Sequence, residues 1–154
     1  MEKSRKRGRQ YVLRLLTIKD RTRSDLINRL KRKGFDDGII DAIITEMEAL
    51  GYVNDEKYAM HFANMRATYS LFGPRRVFVE LRNHGIPKNM AENAVREVFQ
   101  EGKEEANALE LAKRWISRKN ISNKEKTMRR LYAYLERRGF RSDIIGKTIK
   151  QVLT

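Results

Sequence analysis

A ten-residue pattern recurs along the chain and limits the folds open to it. Leu26-Ile27-Asn28-Arg29-Leu30-Lys31-Arg32-Lys33-Gly34-Phe35 aligns with Val77-Phe78-Val79-Glu80-Leu81-Arg82-Asn83-His84-Gly85-Ile86 and with Leu131-Tyr132-Ala133-Tyr134-Leu135-Glu136-Arg137-Arg138-Gly139-Phe140. In every copy an apolar pair stands at i and i+4, a polar or basic triplet follows, and a glycine precedes an apolar residue. Positions i and i+4 share one helix face. Glycine accepts the left-handed conformation that closes a helix, and the apolar residue after it can fold back on the last turn. Each copy therefore reads as a helix ending at a glycine cap. Gly34, Gly85 and Gly139 lie 51 and 54 positions apart, which points to a repeat architecture.

Helical stripes flank every copy. Downstream lie Ile40, Ile43, Ile44 and Met47, then Met90, Ala94, Val95 and Val98, then Ile145, Ile149 and Val152. Upstream lie Val12, Leu15 and Leu16, then Tyr58, Ala59, Phe62 and Met65, then Leu111, Ala112, Trp115 and Ile116. All have the spacing of a helix face, so the repeating unit is three helices. Thr22 to Asp25 and Ser122 to Glu125 have capping-box spacing, and Pro74 and Pro87 suit first helical positions. Nine helices are predicted, over 8–19, 23–33, 37–50, 55–71, 75–84, 87–101, 104–119, 123–138 and 142–153. The fold class is all-α: three tandem three-helix repeats, over 10–53, 54–101 and 102–154, preceded by a basic tail over 1–9. A unit this small buries little surface alone, so the copies should lean on one another in an elongated or curved array.

Charge is the second constraint. The 154 residues carry a formal +14, with 35% charged and 40% hydrophobic residues. The balance is +10 over 1–34, −7 over 35–56, +3 over 57–101 and +8 over 102–154, so two basic ends flank an acidic segment. Such a field favours a polyanion, or a protein assembly that carries one. The tail residues Lys3, Arg5, Lys6, Arg7 and Arg9 are expected to be mobile and to add phosphate affinity without reading sequence. With no cysteine, disulfides and thiolate sites are excluded, and a reducing cytoplasm is the expected compartment. The start of the chain lacks the apolar core of a signal peptide, and no later run is long enough to span a membrane.

The chain carries no glycine-rich phosphate loop, no His-Glu-x-x-His pair and no Cys/His series. No catalytic residue, metal site or cofactor is expected. His61 and His84 stand alone and read as structural residues. Asp36, Asp37 and Asp41 open a predicted helix, as do Asp55 and Glu56, where carboxylates complement the helix dipole. Trp115, Phe62 and Tyr132 sit at core spacing and read as packing residues.

The basic clusters supply the candidate partner- or nucleic-acid-binding residues: Arg75, Arg76, Arg82, Lys31, Arg32, Lys33, Arg137, Arg138, Arg118 and Lys119. Lys31-Arg32-Lys33 and Arg137-Arg138 also suit a helix C-terminus, where cations are favourable. Arg75-Arg76 follows Pro74 at a helix start, the unfavourable end of the dipole, so a binding role is the stronger reading there.

Leu15-Leu16, Arg21-Thr22-Arg23-Ser24-Asp25-Leu26, Leu30-Lys31-Arg32-Lys33-Gly34-Phe35 and Gly51-Tyr52-Val53-Asn54-Asp55-Glu56-Lys57-Tyr58-Ala59 together resemble the RecX family of bacterial recombinase regulators. Phe72-Gly73-Pro74-Arg75-Arg76, with Glu80-Leu81 and Gly85-Ile86, is similar to that family's second signature. The resemblance runs from about Gln10 to Leu153; the third repeat matches mainly in pattern, through Leu135 and Arg137-Arg138-Gly139-Phe140. It implies a cytoplasmic monomer of three three-helix repeats that binds the RecA recombinase and its filament on single-stranded DNA. It further implies restraint of ATP hydrolysis, strand exchange and repressor self-cleavage, and so moderation of the SOS response. Basic faces would then lie near DNA phosphates or acidic protein surface, and the acidic segment near basic protein loops. The alternative is a general single-stranded DNA-binding protein that only competes with RecA.

Overall fold

The computed structural model describes residues 2–154. Among them are nine helices and no strand: α1 (Glu2–Ile18), α2 (Arg23–Arg32), α3 (Asp37–Ala49), α4 (Asp55–Thr68), α5 (Pro74–Asn83), α6 (Lys88–Val98), α7 (Lys103–Ser117), α8 (Lys124–Arg137) and α9 (Ser142–Leu153). The helix starts follow local chemistry. Thr22, Asp36, Asn54 and Asn123 each take the N–H three residues on, at 3.1, 2.9, 3.0 and 3.1 Å, satisfying a donor the helix cannot. The α8 cap is thus Asn123, one residue beyond the expected Ser122. Pro87 is an N-cap, ahead of its expected first helical position.

The recurring glycines end helices as their pattern predicts. Phe35, Ile86 and Phe140 donate their N–H back to Leu30, Leu81 and Leu135 carbonyls at 3.2, 3.1 and 3.3 Å. The glycine N–H groups of Gly34, Gly85 and Gly139 reach Lys31, Arg82 and Glu136 carbonyls at 3.0, 2.9 and 3.0 Å. This paired closure requires a left-handed residue, and the three glycines have φ of +90°, +84° and +98°.

Three hydrophobic cores follow chain order. Val12, Leu26, Leu30, Ile43, Ile44 and Met47 close the first, within α1–α3. The second, within α4–α6, is built on Ala59, Ala63, Val77, Leu81, Ile86, Ala91 and Ala94. The third, within α7–α9, holds Ala108, Ala112, Leu131, Leu135, Phe140, Ile144 and Ile145. In α4 the buried face differs from the expected stripe: Ala59, Ala63 and Ala67 are buried, whereas Tyr58 and Phe62 are half-buried and Met65 is exposed. Small side chains let α4 approach α6 closely, alanine against alanine.

The basic stretch expected as a mobile tail is helical from Glu2 and forms the first half of α1. Gly8 permits its docking: it is buried, and its missing side chain lets α1 approach Ile43 and Phe35. Arg5 and Arg9 then reach Glu46 at 3.6 and 3.0 Å, while Arg7 lies 5.8 Å from the Phe35 ring centroid.

Candidate interaction surfaces

The three cores meet through helix ends, and the same device is used twice. The first turn of α5 sits on the glycine turn that closes α8: Gly73 N–H donates to Arg138 O at 2.8 Å and Arg75 N–H to Gly139 O at 3.0 Å. The first turn of α2 sits likewise on the turn that closes α5. Thr22 Oγ1 donates to His84 O at 2.8 Å, and Ser24 packs so closely on Gly85 that a Cβ there would collide with it. At α5 the orphan N–H groups of one helix meet orphan carbonyls of another, at α2 the cap hydroxyl takes the place of the N–H, and in both joints opposite ends of two dipoles are apposed. Gly34 carries the same turn with nothing packed on it.

Polar side chains complete both joints. At the α2 end, Arg23 N–H donates to Asp55 Oδ1 at 2.9 Å, and Arg23 Nε meets Glu48 at 3.4 Å. Burial raises the Asp55 carboxyl above its usual range; the Arg23 N–H opposes this and the nearby Glu48 charge adds to it. At the α5 end, the buried Asn107 of α7 donates from Nδ2 to Ala67 O (2.9 Å) and Phe72 O (3.1 Å), tying the third core to the end of α4. The buried Glu104 accepts from Arg141 N–H at 3.1 Å and pairs with its guanidinium at 2.8 Å, which raises the Arg141 pKa further through the hydrogen bond and the charge.

This geometry revises the reading of Arg75-Arg76. The helix start that should repel cations is covered by the carbonyl end of α8, so the dipole objection is met inside the protein. Arg76 is committed there: its Nε pairs with Glu80 at 3.0 Å, and its guanidinium carbon lies 3.8 Å from the Phe72 ring centroid. Glu80 also holds Arg66 at 2.9 Å. Arg138 is half-buried, 5.0 Å from the Tyr134 ring and 5.7 Å from that of Phe72. Arg82 Nη1 donates to Ile86 O at 2.9 Å, closing its own turn.

The remaining candidates are available to a partner. Among the described residues, Arg75, Arg137, Arg118 and Lys31-Arg32-Lys33 are exposed and make no ion pair. Lys119 is exposed beside the Trp115 ring, 5.1 Å from its centroid. Arg75, Arg76 and Arg137 come together along one shallow groove with Val79 and Gly139, which the carboxylates of Glu80 and Glu136 also line. Lys119 lies in a different groove, with Trp115, Lys126 and Arg130, and Lys31-Arg32-Lys33 occupies the open end of α2. Part of the acidic segment is spent internally, with Glu46, Glu48 and Asp55 each holding an arginine side chain or N–H, while Asp37, Asp41 and Glu56 are exposed. His84 is exposed, its ring 5.0 Å from that of Phe62 and 6.0 Å from that of Tyr58. The sequence marks Thr22 as a helix cap but not its bond to His84, and it marks neither Asn107 nor Glu104, polar residues on the buried face of α7 one and two turns before Leu111.

The fold and these joints define a protein of three-helix domains that couple through their helix termini; no described helix is long and apolar enough to cross a membrane. Residues 9–47 match the family description "RecX, first three-helix domain" and residues 54–95 match "RecX, second three-helix domain". The chain belongs to the RecX family. It is 35% identical over 143 residues to the regulatory protein RecX of Mycobacteroides abscessus, covering 93% of this chain and 70% of that one. It is 30% identical over 144 residues to the regulatory protein RecX of Caldanaerobacter subterraneus, covering 94% and 70%. The crystal structure of RecX from Lactobacillus salivarius superposes with a TM-score of 0.90 at 23% identity, covering 99% of this chain and 98% of that one.

Proposed function

We propose that the chain is a negative regulator of RecA that docks in the groove of the RecA filament on single-stranded DNA. In this reading it obstructs strand exchange, ATP hydrolysis and coprotease activity, and so moderates recombination and the SOS response. The observation that carries it is the spread of free cations over all three cores: Lys31-Arg32-Lys33 on the first, Arg75 on the second, Arg118 and Arg137 on the third. The units, with boundaries near 53/54 and 101/102, form an elongated array whose third member, α7–α9, is a further copy of the three-helix domain. Shape supports this. The accessible surface is 9967 Å², against about 8100 Å² for a compact monomer of this mass. An extended cationic body of joined rigid units can lie along a helical polyanion and exclude a second duplex. It acts by docking, as a cytoplasmic monomer, with no cofactor and no bond chemistry.

The test is strand exchange by RecA with the purified protein at equimolar or lower ratio. Slowed exchange is expected; an unchanged rate would sink the proposal. Binding to bare single strands and to preformed filaments from 50 to 200 mM salt then separates regulation from competition. Contact with about six phosphates should cost a bare-strand binder about a thousandfold in affinity over that range. Filament binding should fall less, and equal affinity for both targets would favour simple competition for DNA.

A further inference from the structure

Besides the joints, the surface holds a second kind of depression, an apolar groove between α5 and α6. Its floor is Pro74, Phe78, Val79 and Val95, and its rim is Arg75, Arg96, Arg141 and Glu92. The groove is shallow and open to solvent, with a volume of about 540 Å³. Val79 is 54% exposed, and Phe78 and Val95 are half-buried. Apolar surface therefore remains in water here, where covering it would be favourable.

The rim gives the occupant its charge. Three guanidinium groups face one carboxylate. Arg75 has no acidic partner among the described residues, and Arg96 bonds only to the uncharged amide of Asn93, at 2.8 Å. Arg141 pairs with Glu104 yet keeps 52% of its side chain exposed. Glu92 is balanced by Lys88 at 3.9 Å. We propose that this groove binds an acidic, amphipathic peptide segment of a protein partner, with its apolar side chains on the Phe78–Val79–Val95 floor and its carboxylates on Arg75 and Arg96. The floor decides against a nucleic-acid strand. Guanidinium groups suit phosphate and carboxylate alike, but a sugar–phosphate backbone has only the edges of its oxygen-rich sugars, and no aliphatic side chain, to lay on an apolar floor. Stacking of bases needs open aromatic platforms, and the one aromatic ring here, Phe78, is half-covered. An apolar groove between two helices flanked by charge is how amphipathic helices are commonly received. Because Arg141 belongs to the third core, the full rim exists only with the α5–α8 joint closed.

This inference goes beyond the filament reading, and its test contains no recombinase, so either can fail without the other. The probe is a fluorescein-labelled synthetic helix with leucine at i, i+3 and i+7 and glutamate elsewhere, titrated into the full chain by anisotropy. Methyl NMR spectra locate it. Expected are shifts at Val79 and Val95, and binding weakened about tenfold or more by Val79→Asp and by Arg75→Glu with Arg96→Glu. A scrambled peptide of the same composition, with its leucines dispersed, should bind at least about tenfold more weakly. Val79→Ser, read alongside far-UV circular dichroism, covers the case in which Val79→Asp fails to fold. Equal binding of the scrambled peptide, unchanged affinity of the folded variants, or absent shifts at Val79 and Val95 would each overturn the proposal. So would a twenty-residue oligothymidylate that moves those methyls and displaces the peptide, since the groove would then be a nucleic-acid surface.

Discussion

Gly139 and Gly34 separate two duties that one residue type can carry. Both are left-handed, at φ +98° and +90°, so alanine at either should cost about 1–2 kcal/mol of backbone strain. Around Gly34 there is open space, whereas a Cβ at Gly139 collides with the backbone N and the Cβ of Arg76. Chemical denaturation should therefore show Gly139→Ala less stable than Gly34→Ala by about 2 kcal/mol or more, the cost of forcing a methyl into a packed contact; equal losses would mean that the joint is not closed in solution. Asp55 offers a test of the other joint. Its carboxyl is raised above the ordinary 3.8, mainly by burial, so the folded state resists ionising it. The stability associated with the protonated form is complete below pH 3.8 and is lost as pH rises through the higher folded value. Asp55→Asn keeps an oxygen for the Arg23 N–H and removes the charge. Thermal melts from pH 3 to 7 should thus find the variant gaining on the parent as pH rises; a gain that shrinks toward neutrality would contradict the burial of Asp55 against α2.

At the scale of elements, a helix is placed by what its two ends meet as much as by its apolar stripe. The N–H groups at the start of α5 are answered by carbonyls of α8, and the two carbonyls near the end of α4 by the amide of Asn107. Asn107→Ala should cost about 2–3 kcal/mol in urea denaturation, since two buried carbonyls lose their partner. Asn107→Asp should cost more, because it replaces donors by a buried charge; a loss below about 0.5 kcal/mol for alanine would show that water reaches those carbonyls. These end-to-end contacts also mark where sequence reading stops. The caps were legible because they are local: a glycine after an i, i+4 apolar pair closes a helix whatever lies beyond it. The dipole argument for Arg75-Arg76 meets the same limit. Their helix start looked electrostatically uncovered, and the carbonyls that cover it belong to residues 138 and 139. The basic stretch before Gln10 read as a tail because Gly8, exposed by any local rule, is buried only once α3 supplies Ile43.

For the whole molecule, joints made of a few backbone and polar contacts between separately filled cores imply stability that passes from neighbour to neighbour. Repeat arrays behave in this way, each unit carrying its own free energy plus an interface term. The single tryptophan, Trp115, reports on the third core alone, where it lies 6.2 Å from Tyr134. Leu30 is fully buried in the first core, and Leu30→Ala there should cost about 2–5 kcal/mol. Because α1–α3 reaches the rest mainly through Thr22, Ser24, Arg23 and Asp55, that loss should remain largely local. Helical content followed by circular dichroism should melt earlier and in two steps, while the Trp115 fluorescence transition stays near its original midpoint. Coincident shifts in both signals would mean that the α2–α5 joint couples the cores into one cooperative body. In that case docking along an extended partner would have to move the molecule as a rigid whole, and affinity lost at Lys31-Arg32-Lys33 would be felt undiminished at Arg137.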